Sequence, residues 1–250
     1  MATPMTPARF VRALKDEGLT VVETGNWRTH NRNHMGPWGP VHGVMMHHTV
    51  TKGTDSTVRI CRDGYAGLPG PLCHGVIDKR GRVHLVGYGR ANHAGSGDDD
   101  VLRAVIAEKS LPPANEANTD GNRHFYGFEC INLGDGKDPW PAVQVEAMEA
   151  AAAAVCRVHD WTPPSVIGHL EWQPGKIDPR GVSMGGLRRR IGLRLDPPTA
   201  PPYTVKRGDT LWSIAADKLG DSQRWGEISR LNQLVTSALT PGQELKIPKK

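Results

Sequence analysis

The chain has 250 residues, with 31 Lys or Arg against 26 Asp or Glu, a formal charge of +5. Charged residues at 23% and hydrophobic residues at 38% argue against wholesale disorder, and no run approaches the roughly 18 consecutive apolar residues of a membrane span. The basic excess is mild and dispersed, so neither a nucleic-acid partner nor membrane insertion is expected.

The N-terminal stretch Met1 to Leu19 is interrupted by Arg9, Arg12, Lys15, Asp16 and Glu17. It lacks the apolar core of a secretory leader, so the expectation is synthesis in the cytoplasm and release by another route. Pro7 to Glu17 predicts a short helix stopped by Gly18, and the apolar run Val41 to Val50 a buried strand. Asp55 to Cys61 predicts a short helix ahead of the turn-rich Asp63 to Pro71. His74 to Asp78 and Arg82 to Gly87 read as a hairpin about Lys79-Arg80-Gly81. Asp100 to Lys109 places acidic residues at a helix start and lysine at its end, as the helix dipole favours. Phe125 to Asn132 follows as a strand. Pro141 to His159 is a helix, with Val143, Ala147, Ala151, Val155 and Val158 at helical spacing. Ser165 to Gly168 and Leu187 to Leu193 close the series as a strand and a helix. Strands alternating with helices give an α/β domain with a central mixed sheet flanked by helices.

Asp196-Pro197-Pro198-Thr199-Ala200-Pro201-Pro202 holds four prolines in seven residues. Such a segment favours an extended spacer, which divides a domain over 1–195 from a tail over 203–250, with 196–202 as linker. The tail predicts a short strand, a Gly208-Asp209 turn, a helix capped by Asp209 or Thr210 and ended by Gly220, a second helix over Ser222 to Leu231, and a closing strand over Glu244 to Ile247.

The 11 histidines all lie at or before His169. A catalytic zinc site takes three protein ligands from histidine, carboxylate or thiolate and leaves a fourth position open. His47-His48 ends a predicted buried strand, His169 follows another, and Asp178 lies beyond the loop Glu171 to Ile177, which is long enough to fold back. Strand parity sends His47 and His48 to opposite faces and does not choose between them. Taken singly, each has a bland alternative: a packing histidine, or an aspartate turn residue before proline. The four cysteines, Cys61, Cys73, Cys130 and Cys156, form no CxxC pair and read as reduced thiols near a core. Cys61 and Cys73 flank a Gly/Pro-rich loop and can pair if oxidised.

Val44-Met45-Met46-His47-His48-Thr49 resembles the first metal motif of the zinc-dependent type 2 N-acetylmuramoyl-L-alanine amidases, the superfamily that includes phage lysis amidases and peptidoglycan-recognition proteins. Gly168-His169-Leu170-Glu171-Trp172, followed by Pro174-Gly175-Lys176-Ile177-Asp178-Pro179, resembles the second. The resemblance, over roughly residues 20 to 195, implies Zn2+ held by His47, His169 and Asp178. It also implies charge stabilisation at the attacked carbonyl by Lys176. Tyr126 to Ile131 resembles the family strand that carries a catalytic glutamate, here Glu129, whose bland alternative is a solvent-facing edge residue. Where many members have a tyrosine, in Leu72 to Ile77, this chain has Cys73, which gives Glu129 more weight. Arg90 to Gly95 resembles a cleft-lining segment and makes His93 a candidate to touch substrate or to support the metal ligands.

The tail, through Gly208-Asp209-Thr210-Leu211-Trp212, Arg230-Leu231-Asn232 and Pro241-Gly242, resembles a LysM module of βααβ order. This implies binding of N-acetylglucosamine-containing glycan through Gly208, Asp209, Thr210, Leu211 and the segment around Asn232, with Trp212 and Ile214 as core residues. Together the resemblances imply a peptidoglycan hydrolase of the phage endolysin kind, acting on the bacterial wall after release. It would cut the amide between N-acetylmuramic acid and L-alanine. The alternatives are a non-catalytic peptidoglycan-binding protein and a stem-peptide endopeptidase on the same scaffold.

Overall fold

The structure, a computed structural model, describes residues 2–196 and 199–248. The chain forms two compact units, Met1–Ile191 and Gly192–Lys250. In the larger unit, helix α1 (Pro7–Asp16) starts where the Thr6 hydroxyl accepts the Arg9 N–H and Pro7 takes the first helical position, and it buries Phe10, Val11, Ala13 and Leu14. The other helices of this unit are α2 (Thr54–Asp63), α3 (Asp99–Ile106), α4 (Ala142–His159), the single turn α5 (His169–Trp172) and α6 (Met184–Leu195). The Asp98 carboxylate caps α3 by accepting the N–H groups of Asp100 and Val101. The small side chains of α4 let it lie close to α1 and the middle strands, with Ala150 to Ala154 all buried.

Strands β1 (Val21–Glu23), β2 (Gly43–His48), β3 (Gly75–Ile77), β4 (Val83–Leu85), β5 (Phe125–Cys130) and β6 (Val166–Gly168) form one sheet in the order β1-β4-β3-β5-β2-β6. Only the β3–β4 hairpin is antiparallel; the other neighbours run parallel, so the sheet is mixed. All six residues of β2 are buried, as expected for a strand covered on both faces. Because β2, β5 and β6 are parallel, their carboxyl ends meet at one edge of the sheet, where α/β folds build their sites. Met45 and Phe125 pack in a core cluster with Val101, Val105, Ile167 and Trp172.

The expected helices and strands appear in the expected order. The strand β1 is an addition, three residues long and too short to show a period. The strand expected over His74 to Asp78 runs over Gly75–Ile77, and Cys73 lies ahead of it, fully buried against Val58, Cys61 and Val76. All four cysteines are buried and free.

In the smaller unit, β7 (Thr199–Thr204) runs antiparallel to β8 (Glu244–Pro248), with α7 (Leu211–Leu219) and α8 (Trp225–Leu231) between them. The Thr210 hydroxyl accepts the Ser213 N–H while Ser213 Oγ accepts the Thr210 N–H, and Gly220 at φ 78° ends α7. Leu211, Ile214, Ala215, Leu219, Ile228, Leu245 and Ile247 form the core. Strand β7 takes in 199–202, which the proline count assigns to a spacer. The pairing is irregular between Ala200 and Tyr203, where Pro201 and Pro202 bring no N–H to the ladder. Pro197 and Pro198 of that spacer lie outside the described residues. Trp212 is 41% exposed rather than in the core, its ring against Trp225 at 4.7 Å between centroids.

Candidate metal centre

His47 is the second-last residue of β2, and the turn α5 opens with His169 directly after β6. The following loop folds back because the Leu170 N–H donates to the Asp178 carbonyl at 2.8 Å. Its base is held by Glu171, which accepts the Gly168 N–H and forms a two-pronged pair with Arg188 at 2.7 and 2.8 Å. Trp172 is fully buried and donates its indole N–H to the Ala94 carbonyl at 2.9 Å. Gly97 and Gly121 make room for that ring: a Cβ on Gly97 would stand 2.2 Å from it.

This framework brings His47 Nδ1, His169 Nδ1 and Asp178 Oδ2 into a triangle with sides of 3.0, 3.1 and 3.1 Å. The three residues, two buried and one half-buried, form a group able to hold a metal ion. Metal–ligand distances of about 2.0–2.1 Å in a tetrahedron correspond to ligand–ligand edges of about 3.3 Å, so the triangle is close to one face of a zinc site. Two imidazoles and one carboxylate are the donor set that zinc takes in hydrolytic sites. Burial holds His47 down to about 4, with the Asp178 contacts opposing, which favours the uncharged ring that a metal ligand must be. Burial pushes the Asp178 carboxyl up, yet its bonds to His169 and His47 carry it well below the usual carboxylate range. His48 faces away and accepts the Arg180 N–H through Nδ1 at 3.0 Å.

Glu129 pairs in register with His47 across the parallel strands, so the two side chains share a face. Its Oε2 is buried without a hydrogen-bond partner. Burial pushes the carboxyl well above the usual range, Cys61 and Asp178 push the same way, and Lys176 opposes them. An orphaned carboxylate oxygen in such a place is a functional signal. Beside it lies a cavity of about 300 Å³ lined by Thr49, Thr57, Cys61, Tyr65, Leu72 and Glu129, among others.

The N-acetylmuramoyl-L-alanine amidase family model matches residues 37–181, which hold the whole triangle and Glu129. The chain belongs to the N-acetylmuramoyl-L-alanine amidase family. A LysM domain model matches residues 203–248. Among curated proteins, the uncharacterized protein YqbP of Bacillus subtilis (strain 168) is 40% identical over 58 residues, 18% of this chain. The match spans about a quarter of that relative's length (26%). Among solved structures, a mutant endolysin from Bacillus subtilis is 16% identical, covering 70% of this chain and 99% of that one at a TM-score of 0.49. The endolysin amidase LysCS from Clostridium intestinale URNW is 15% identical, covering 69% and 95% at a TM-score of 0.46. AmpDh3 from Pseudomonas aeruginosa, in complex with an anhydromuramic pentapeptide, is 19% identical, covering 68% and 66% at 0.46.

In the amidase domain the other expected residues are placed as follows. Lys176 is exposed in the loop between His169 and Asp178, near enough for its charge to act on both His47 and Glu129. His93 is buried, and its Nδ1 stands 3.1 Å from His47 Nε2. In the LysM unit, Gly208 is exposed at φ 91°, and Asp209 accepts the Lys206 N–H and the Tyr203 hydroxyl. Thr210 caps α7 and Leu211 is fully buried. The Asn232 amide donates to the Ile228 and Lys246 carbonyls and accepts the Lys246 N–H, so it ties α8 to β8.

Two residues of the amidase site are absent from the sequence expectations. Gln173 Oε1 accepts the His169 Nε2–H at 3.3 Å, and Asn122 Oδ1 accepts the N–H groups of both His93 and Ala94 at 2.8 Å. Gln173 stands four residues after His169, a spacing that puts side chains on one helical face, and so carries a sequence signal. Asn122 carries none, since it meets His93 only through the fold.

Proposed function

We propose that the chain is a zinc-dependent peptidoglycan hydrolase that cleaves the amide between the lactyl group of N-acetylmuramic acid and L-alanine. The observation that carries this is the Nδ1–Nδ1–Oδ2 triangle beside the orphaned Glu129 carboxylate, within the segment matched by the amidase family. His47, His169 and Asp178 hold the metal. When bound, zinc supplies Lewis acidity, which acidifies water and polarises a carbonyl. Glu129 accepts the proton of the attacking water and delivers it to the departing alanine amine. The Lys176 ammonium offsets the negative charge that develops on the carbonyl oxygen.

In this reading residues 1–195 are the catalytic domain, 196–202 join it to the tail, and LysM residues 203–250 hold the enzyme on N-acetylglucosamine-containing glycan. Tethering to an insoluble polymer raises the concentration of cleavable bonds around the catalytic domain. Joining a wall-cutting and a wall-binding module supports an endolysin role, and among the described residues no helix is long and apolar enough to cross a membrane.

Mass spectrometry of digested walls tests the reading. Stem peptides with free L-alanine amino termini and uncut glycan strands are expected. New reducing ends would replace the amidase by a glycosidase, and cuts inside the stem would replace it by an endopeptidase. Absence of soluble product would leave a peptidoglycan-binding protein. Chelation is expected to abolish lysis and added zinc to restore it.

A further inference from the structure

His93 Nδ1 faces the back of the His47 ring, 3.1 Å from Nε2, and its surroundings are built around it. A Cβ on Gly127 would stand 2.5 Å from His93 Nδ1, so the glycine in β5 clears the space for the ring. The backbone on either side is pinned by Asn122 Oδ1, which takes the N–H groups of His93 and Ala94, and by the Trp172 indole on the Ala94 carbonyl. The ring therefore has little freedom to turn.

Its contacts set the direction of every proton in the chain. A backbone carbonyl can only accept, so the 3.3 Å contact between His93 Nε2 and the Phe125 carbonyl puts the His93 proton on Nε2. A ring with one proton then presents a bare Nδ1 to His47 Nε2 at 3.1 Å, and His47 Nε2 must donate. With a cation in the triangle, His47 is left with its lone pair on Nδ1, the atom that faces His169 and Asp178. We propose that His93 is a positioning residue for zinc, a relay from the Phe125 carbonyl that holds His47 in its Nε2–H form with Nδ1 aimed at the metal. It rests on the zinc reading of the site given above. The outer partner of a metal-bound histidine fixes its tautomer and ring orientation in just this way. Gln173 does the same for His169, which makes the support of the two histidines unequal: a side-chain amide for one, a second imidazole for the other.

Long-range proton–nitrogen correlation spectra of the full-length protein, labelled at histidine nitrogen, test this in both metal-free and zinc-loaded forms. His93 is expected as the Nε2–H tautomer in both, and His47 as Nε2–H in the zinc-loaded form. His93 found as Nδ1–H in either form would overturn the relay. Zinc affinity, read by competition with a chromogenic chelator, gives the second arm. His93→Phe is expected to weaken zinc binding about ten- to a hundredfold. His93→Asn, whose Oδ1 sits close to the place of Nδ1, is expected to keep most of the affinity. Equal affinity in wild type and His93→Phe would overturn the proposal, as would equal loss in both variants. A wild-type chain that binds no zinc would sink the metal reading itself, while the metal-free tautomers would still report on the relay.

Discussion

Glu129 sits in a strand between Phe128 and Cys130, beside the metal triangle and with one oxygen unpaired. A carboxylate held there at a cost in desolvation has a use if it takes up a proton during turnover. Glu129→Gln is expected to leave zinc stoichiometry unchanged and lower kcat by about 10²- to 10⁴-fold, measured on a soluble muropeptide. Its raised pKa places the acid limb of kcat/KM above the ordinary carboxylate range, with activity rising as pH rises through it; a rate independent of pH from 4 to 7 would contradict that. His169→Ala removes one corner of the triangle, and zinc analysis of the purified variant is expected to find the metal lost together with activity. His74 shows a different use of burial. Its Nδ1 accepts the Gly127 N–H at 2.9 Å, its Nε2 donates to the Gly89 carbonyl at 2.8 Å, and burial holds its pKa down to about 4. The native state refuses a proton that the unfolded chain accepts below about pH 6.5. Stability is therefore complete above that pH and falls as pH drops toward 4, by about 1 kcal/mol per pH unit for this residue. Urea denaturation of the metal-free protein at pH 4.5 and 6.5 should reveal this slope, and His74→Gln should flatten it.

At the scale of elements, the loop from His169 to Asp178 depends on an anchor some distance from the metal. Trp172 is clamped between Gly97, Gly121 and the Ala94 carbonyl. Gly97→Ala drives a methyl into the indole and is expected to cost about 1–3 kcal/mol by overpacking. A lowered thermal midpoint together with weaker zinc binding would show that the anchor and the triangle are one unit; an unchanged midpoint would contradict it. Much of this level was legible in the residues themselves. The strands that carry His47, Glu129 and His169, and the long Ala-rich helix, announced themselves through apolar runs and helical spacing. The choice between His47 and His48 did not, because alternation separates their faces without saying which face meets His169 and Asp178. The perturbation of Glu129 was also hidden, since it comes from burial and from Cys61 and Asp178, which are distant in sequence. Trp212 misled because an aromatic after a helix cap reads as core, while here it lies on the surface against Trp225. The bonds of Asn232 carried no sequence signal either: its side chain reaches Ile228 and Lys246, which lies on β8, 14 residues farther along the chain.

For the whole molecule, the two compact units predict separable tasks. A chain cut after 202 is expected to pellet with purified walls less well, by an order of magnitude or more, while cleaving a small soluble muropeptide at close to the full-length rate. Co-sedimentation and a soluble-substrate assay run on the same preparation check both halves; equal losses in the two would tie the tail to the chemistry. The pairing of β2 with the edge strand β6 has one more consequence. His47 and Asp178 are 131 residues apart in the chain, yet they touch. At about 5–20 residues per second, a ribosome needs on the order of ten seconds to travel from one to the other. A nascent chain therefore carries one of its three candidate metal ligands through about half of its elongation before it can meet the other two. The proposed hydrolase arms itself only late in its own birth.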